Sequence, residues 1–194
     1  RDLFGPSAGY LPEALQEVGV TPAQIDLLFA THLHPDHIAG MITPSGKAVF
    51  PNAELCLTAG EHAFWSDQDR TSRAGEQVSD WGAVARMVLA AYGDRLRIIA
   101  AGDEIAPGLT SVSLPGHTPG HSGWRLSSGK EQLIHVGDIV HAPALQVADP
   151  EIGIVFDLDM DTARETRKRL LDELATDGAL FTGGHFLHPA FHSV

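Results

Sequence analysis

Leu27-Leu28-Phe29-Ala30-Thr31-His32-Leu33-His34-Pro35-Asp36-His37 runs an apolar strand directly into four good metal ligands within six residues. A segment leaving a strand can point alternate side chains the same way, so His32 and His34 can share one ion. Pro35 disfavours helix at His34 and redirects the chain, which turns Asp36 and His37 toward a neighbouring second site. Imidazole and carboxylate together form the donor set of zinc or another borderline divalent ion. A polar tetrad placed straight after a buried strand needs partners, and ions supply them.

Three later positions repeat the pattern of a candidate ligand just past an apolar run. Gly116-His117-Thr118-Pro119-Gly120-His121 follows Leu109–Leu114 and holds an imidazole in a turn constrained by Gly and Pro. His117 is the ligand expected there, while His121 is expected to hydrogen-bond nearby or begin the next strand. Gly137-Asp138 follows Leu133–Val136, and the two oxygens of Asp138 can bridge two ions. His185, after Gly183-Gly184, completes the set.

The rest of the chain reads as one mixed α/β domain. Thr21-Pro22-Ala23-Gln24 carries the signals of a helix start. Trp81, Val84, Ala85, Val88, Leu89 and Tyr92 share one helical stripe, which assigns Trp81 and Tyr92 to packing. A second amphipathic helix is expected from Thr162 to Ala175, with Ala163, Leu170, Leu171 and Leu174 inward. Leu96–Ala100, Leu109–Leu114, Ser122–Leu126 and Leu133–Val136 read as consecutive strands of one sheet, followed by Ala179–Thr182.

Composition narrows the partners. With 43% apolar residues in 194, the chain can bury a core, and its 13 Lys and Arg against 25 Asp and Glu give a charge of −12 that repels a phosphate backbone. Nucleic acid is thereby excluded. The lone Cys56 allows no disulfide framework and reads as a small buried side chain in Leu55-Cys56-Leu57. No apolar run reaches the roughly 18 residues that span a bilayer, so no membrane is expected. A small-molecule substrate is the expected partner, self-association as a homodimer is left open, and Arg1, which is no initiator Met, leaves localisation unread.

In this order the motifs resemble the metallo-β-lactamase superfamily: H-x-H-x-D-H, a His in a G-H-T-x-G-H turn, G-D, then a late His. The resemblance implies an αββα sandwich, one ion held by His32, His34 and His117, a second by Asp36, His37 and His185, and Asp138 between them. It further implies two divalent ions, zinc foremost, that lower the pKa of a bridging water from about 16 toward neutrality and present hydroxide to an ester-like substrate. Asp36 and Asp138 are the residues expected to orient that hydroxide and take a proton. Asp138 stands where true β-lactamases carry Cys or Ser. No Tyr follows it in Ile139-Val140-His141-Ala142-Pro143, which turns the expectation away from acyl-homoserine lactonases.

Within the superfamily the chain is most like methyl-parathion hydrolase and its relatives, through Leu3-Phe4-Gly5-Pro6-Ser7-Ala8-Gly9, an Ala48–Ala53 strand, Phe64-Trp65 and the Asp138 to Gly184-His185 pair. That likeness makes Phe64 and Trp65 candidate substrate-binding residues and favours an organophosphate triester or aryl ester. A lactonase or glyoxalase-type thioesterase is the alternative, and a structural metal module or a diiron redox protein is the alternative of another class. Superfamily members carry further strands ahead of the segment that Arg1 opens and beyond His185, so the domain is expected to be trimmed at both ends.

Overall fold

A computed structural model of the chain describes Gly5 and residues 9–194. Helices α1 (Leu11–Glu17), α2 (Pro35–Ile38), α3 (Ala59–Trp65), α4 (Gln68–Arg73), α5 (Glu76–Tyr92), α6 (Pro143–Gln146) and α7 (Met160–Asp177) alternate with strands. The strands are β1 (Leu27–Phe29), β2 (Glu54–Thr58), β3 (Leu96–Ile99), β4 (Glu104–Ala106), β5 (Leu109–Ser113), β6 (Ser122–Ser128), β7 (Glu131–His135) and β8 (Leu180–Thr182). They form a three-stranded sheet, β1-β2-β3, and a five-stranded sheet, β4-β5-β6-β7-β8. The chain divides into two compact units, residues 1–57 with 65–97 and residues 58–64 with 98–194.

In the first unit β1 runs parallel to β2, with Leu28 opposite Leu55 and Phe29 opposite Cys56. Leu55, Cys56 and Leu57 are fully buried, as the apolar reading of Cys56 required, and burial pushes its thiol pKa up. The stripe expected on α5 is present: Ala85, Val88, Leu89 and Tyr92 are buried, and the Tyr92 hydroxyl donates to Met41 O at 3.0 Å. Gly82 allows α4 to approach, since a Cβ there would stand 2.9 Å from Thr71. Thr21-Pro22-Ala23-Gln24 forms only a single tight turn, in which Gln24 Oε1 accepts from both the amide and the hydroxyl of Thr21.

Two strand expectations are corrected here. Ala48–Ala53 is not a strand: Phe50-Pro51-Asn52 turns, Pro51 has no N–H to donate, and the Asn52 amide donates to Ala23 O at 2.8 Å. The strand begins immediately afterwards, at Glu54. Leu96–Ile99 does not belong to the sheet of the strands that follow it, because a short strand absent from the sequence reading, β4, folds back through Pro107-Gly108 and takes the place beside β5. Leu3–Ala8 falls, apart from Gly5, outside the described residues.

The second unit is built on an antiparallel meander, β4 to β7, to which β8 adds in parallel after the crossover through α7. Helix α7 starts at Asp159, whose side chain accepts from Thr162 N at 3.0 Å, and ends at Gly178 in the left-handed region at φ +62°. Thr162's amide and hydroxyl both bond to the Asp159 carboxylate and hold its pKa down. The buried stripe, Ala163, Leu170, Leu171 and Leu174, matches the sequence reading and packs on Leu114, Ile134, Val136, Ile139, Val140, Ala179 and Phe181. Phe181 is fully buried in this core, whereas its neighbour Leu180 is 49% exposed. Urea unfolding should therefore show Phe181→Ala losing about 3–5 kcal/mol and Leu180→Ala no more than about 0.5 kcal/mol.

Candidate metal centre

The first unit positions its donors by ending a strand against a proline. After β1, Ala30 N still bonds to Cys56 O at 2.9 Å, and the chain remains extended through His34 (φ −67°, ψ 145°) until Pro35 starts α2. Pro at the first helical position lacks only an N–H that would have had no helical partner. The result is a compact histidine group. The His32 and His34 rings meet edge to face at 4.6 Å, and the His32 and His37 rings lie 4.2 Å apart. Thr31 Oγ1 is 3.0 Å from His32 Nδ1, and Asp36 Oδ2 is 3.4 Å from His37 Nε2. His32 and His34 are 0% and 4% exposed, whereas Asp36 lies at the surface.

Two tryptophans flank His34 in this unit. Trp65 meets it edge-on at 5.5 Å and is fully buried, with its carbonyl accepting from Arg86. Trp81, assigned to packing by its helical spacing, lies closer at 4.6 Å and is only half-buried. It also lines a hollow of about 420 Å³ with Pro35, Glu76, Gln77, Asp80 and Val84. Phe64 is half-buried and belongs to the second unit.

The second unit gathers its donors around one carboxylate. Parallel pairing of β7 and β8 brings their C-terminal ends to the same edge, so Asp138 and His185 emerge side by side. Asp138, 2% exposed, places Oδ2 at 3.0 Å from His185 Nε2, 3.1 Å from His141 Nε2 and 3.5 Å from His117 Nε2. The His141 and His185 rings stack at 4.8 Å.

Buried polar contacts fix these groups from behind. His117 Nδ1 lies 2.9 Å from Asp157 Oδ1, and since a carboxylate only accepts, Nδ1 carries the proton. His121 is bonded at both ring nitrogens: Nδ1 donates to Leu114 O at 2.7 Å and Nε2 accepts the Asp138 amide at 2.9 Å. It thus holds the backbone of Asp138, as the expectation of a nearby hydrogen bond required. The turn between the two histidines is clamped by Glu61, 1% exposed, whose Oε2 accepts from Thr118 Oγ1 at 2.7 Å and from Gly120 N at 3.1 Å. A Cβ on Gly120 would lie 2.0 Å from Glu61 N, so only glycine permits this approach.

The donor chemistry fits a divalent cation. With its proton on Nδ1, His117 turns the lone pair of Nε2 toward the lone pairs of Asp138 Oδ2, an arrangement that a cation relieves. His117, Asp138 and His141 bring one ligand atom each to within 4.8 Å of one another. His141, Asp157 and Glu61 were not singled out in the sequence. His141 follows Asp138 by three residues and could have been noticed there, but nothing local marks Asp157 or Glu61. A larger hollow of about 610 Å³ beside the β6–β7 turn contains none of these donors.

Residues 3–185 match the metallo-β-lactamase superfamily, and the chain belongs to it. Its mixed α/β structure of two sheets flanked by helices matches that fold. A probable metallo-hydrolase of Mycobacterium bovis and one of Mycobacterium tuberculosis are each 29% identical over 133 residues, 64% of this chain. The chain spans 40% of the length of these relatives. Among solved structures, the hydrolase AbOPH is 31% identical with a TM-score of 0.89, covering 98% of this chain and 67% of its own. AidC, a dizinc quorum-quenching lactonase, is 29% identical with a TM-score of 0.88, covering 96% and 66%.

The Glu61 clamp yields a direct check. Glu61→Ala leaves the buried Thr118 hydroxyl without its acceptor, at about 1–3 kcal/mol, and also removes the acceptor of the half-buried Gly120 amide. Thermal unfolding should show a lowered midpoint for Glu61→Ala and a smaller loss for Glu61→Gln, whose amide oxygen can still accept.

Proposed function

We propose that the chain is the metal-binding core of a hydrolase acting on ester-type bonds, with two divalent ions, zinc foremost. The observation that carries this reading is the convergence of His117, His141 and His185 on one oxygen of Asp138, with the tautomer of His117 set by Asp157. Superfamily membership supports assigning His32, His34 and His117 to one ion, Asp36, His37 and His185 to the other, and Asp138 to both. When bound, such a pair of ions polarises the scissile group and makes water acidic enough to attack at neutral pH.

The protein's own groups supply the rest. Asp138, held by His121 at its amide, accepts a proton without moving, and Asp36, at the surface, passes a proton to solvent. His141 stands beside Asp138 with its ring stacked on that of His185 at 4.8 Å, at the edge of the donor group, where a substrate oxygen can meet it. Trp81 offers an aromatic face next to His34; of the two residues that the likeness to methyl-parathion hydrolase implies, Phe64 is half-buried and can line a substrate, whereas Trp65 is fully buried and backs His34.

Organophosphate triesters or aryl esters are the favoured substrates under that likeness. A lactone is the second reading, favoured by the similarity to AidC, whose structure holds N-hexanoyl-homoserine as product. A panel of a 4-nitrophenyl ester, a phosphotriester and an N-acyl homoserine lactone separates the two. Turnover of at least one should vanish with a chelator and return with zinc. Asp138→Ala should lower kcat by at least about 100-fold, the scale of losing one preorganised charge-stabilising group. Activity that survives both the chelator and Asp138→Ala refutes the metal-dependent reading, and tight zinc binding without turnover of any substrate makes the ions structural.

A further inference from the structure

Helix α7 carries a charge on its core-facing stripe. Arg167 is 0% exposed, one turn from Ala163 and beside Leu170 and Leu171. Burying a guanidinium costs several kcal/mol unless its donors are met, and hydrophobic replacements of buried ion pairs are often neutral or stabilising. A leucine would continue the stripe, so packing gives no reason for the arginine.

Its bonds give one. Nε donates to Ile139 O at 2.7 Å, and Nη1 donates to Pro150 O and Ile152 O, each at 2.8 Å. Nη2 lies 3.7 Å from Asp157 Oδ2, and the Asp157 side chain is likewise 0% exposed. Ile154 N donates to the same oxygen at 3.2 Å. The other oxygen, Oδ1, accepts from His117 Nδ1. One guanidinium thus bonds the carbonyl of the residue after Asp138 and, through Nη2, lies within ion-pair range of the carboxylate behind His117. Burial lowers the arginine's pKa, and the charge of Asp157 opposes that shift.

We propose that Arg167 and Asp157 are positioning residues: Arg167 orients the Asp157 carboxylate, which holds His117 in its Nδ1–H tautomer and keeps Nε2 as the donor atom, while the Arg167 bond to Ile139 O steadies the turn carrying Asp138. Only the metal-binding part of this inference rests on the proposed ligand role of His117. The tautomer stands apart from it.

Asp157→Asn is isosteric and separates orientation from packing. Arg167 draws the amide oxygen to itself, so the amide N–H faces His117; Nδ1 then accepts, and the proton moves to Nε2. The same substitution behind a catalytic histidine is known to leave geometry intact and reverse the tautomer. Long-range 15N–1H NMR on the metal-free protein should find His117 as Nδ1–H in the native chain and as Nε2–H in D157N. Competition with a chromophoric chelator should show Zn2+ affinity reduced about 10–100-fold, the usual effect of losing a partner behind a ligand.

Arg167→Met should give mixed tautomers and weakened zinc binding; should it not fold, Arg167→Lys, which keeps the charge and loses the fork, provides the comparison. Retention of Nδ1–H with unchanged zinc affinity in D157N overturns the proposal. So does an Arg167 variant that loses thermal stability alone. If the native chain binds no zinc, the ligand role of His117 fails, and the tautomers still decide the role of Asp157 and Arg167.

Discussion

Asp138 is the group on which the second unit's cluster of candidate donors depends. Its carboxylate is buried among imidazoles and its amide is tied to His121. A buried carboxylate is costly by itself, and the surrounding architecture meets that cost from several elements. β7 delivers the residue, β6 begins directly after His121, α7 presses against the turn through Gly116, and α3 contributes Glu61. A Cβ on Gly116, which has φ +128°, would fall 2.3 Å from Ala163 N. The turn carrying His117 and the first turn of α7 are therefore fitted to each other at backbone distance.

Much of this was legible in the sequence because ligands and strand ends coincide. The run from Leu27 to His37 announced a strand and a change of direction at Pro35, and both are present, although Leu27, Leu28 and Phe29 are half-buried and full burial begins only at Ala30. The stripe from Ala163 to Leu174 is buried as its 3.6-residue spacing required. Gly137, in the left-handed region at φ +55°, turns the chain just before Asp138.

What escaped the sequence is long-range. Asp157 lies 40 residues from His117, and Glu61 lies 57 residues from Thr118, so no spacing rule links them. Arg167 escaped notice because its partners Ile139, Pro150 and Ile152 are scattered over two loops. β4, at three residues, is too short to show a period of two. The Ala48–Ala53 misreading arose because apolar residues precede Pro51, while the proline's missing N–H decides against a ladder. Trp81 fits a helical stripe and also stands against His34; periodicity detects the first property and is blind to the second.

The parallel addition of β8 to β7 bears on how the protein is made. Antiparallel neighbours can meet as soon as a short turn is synthesised, but β7 and β8 are joined by everything between His135 and Leu180. Closing that loop is entropically slow. His185 therefore reaches Asp138 only through the one pairing of this sheet that a short turn cannot nucleate, so the most exposed imidazole beside that carboxylate depends on the sheet's longest connection.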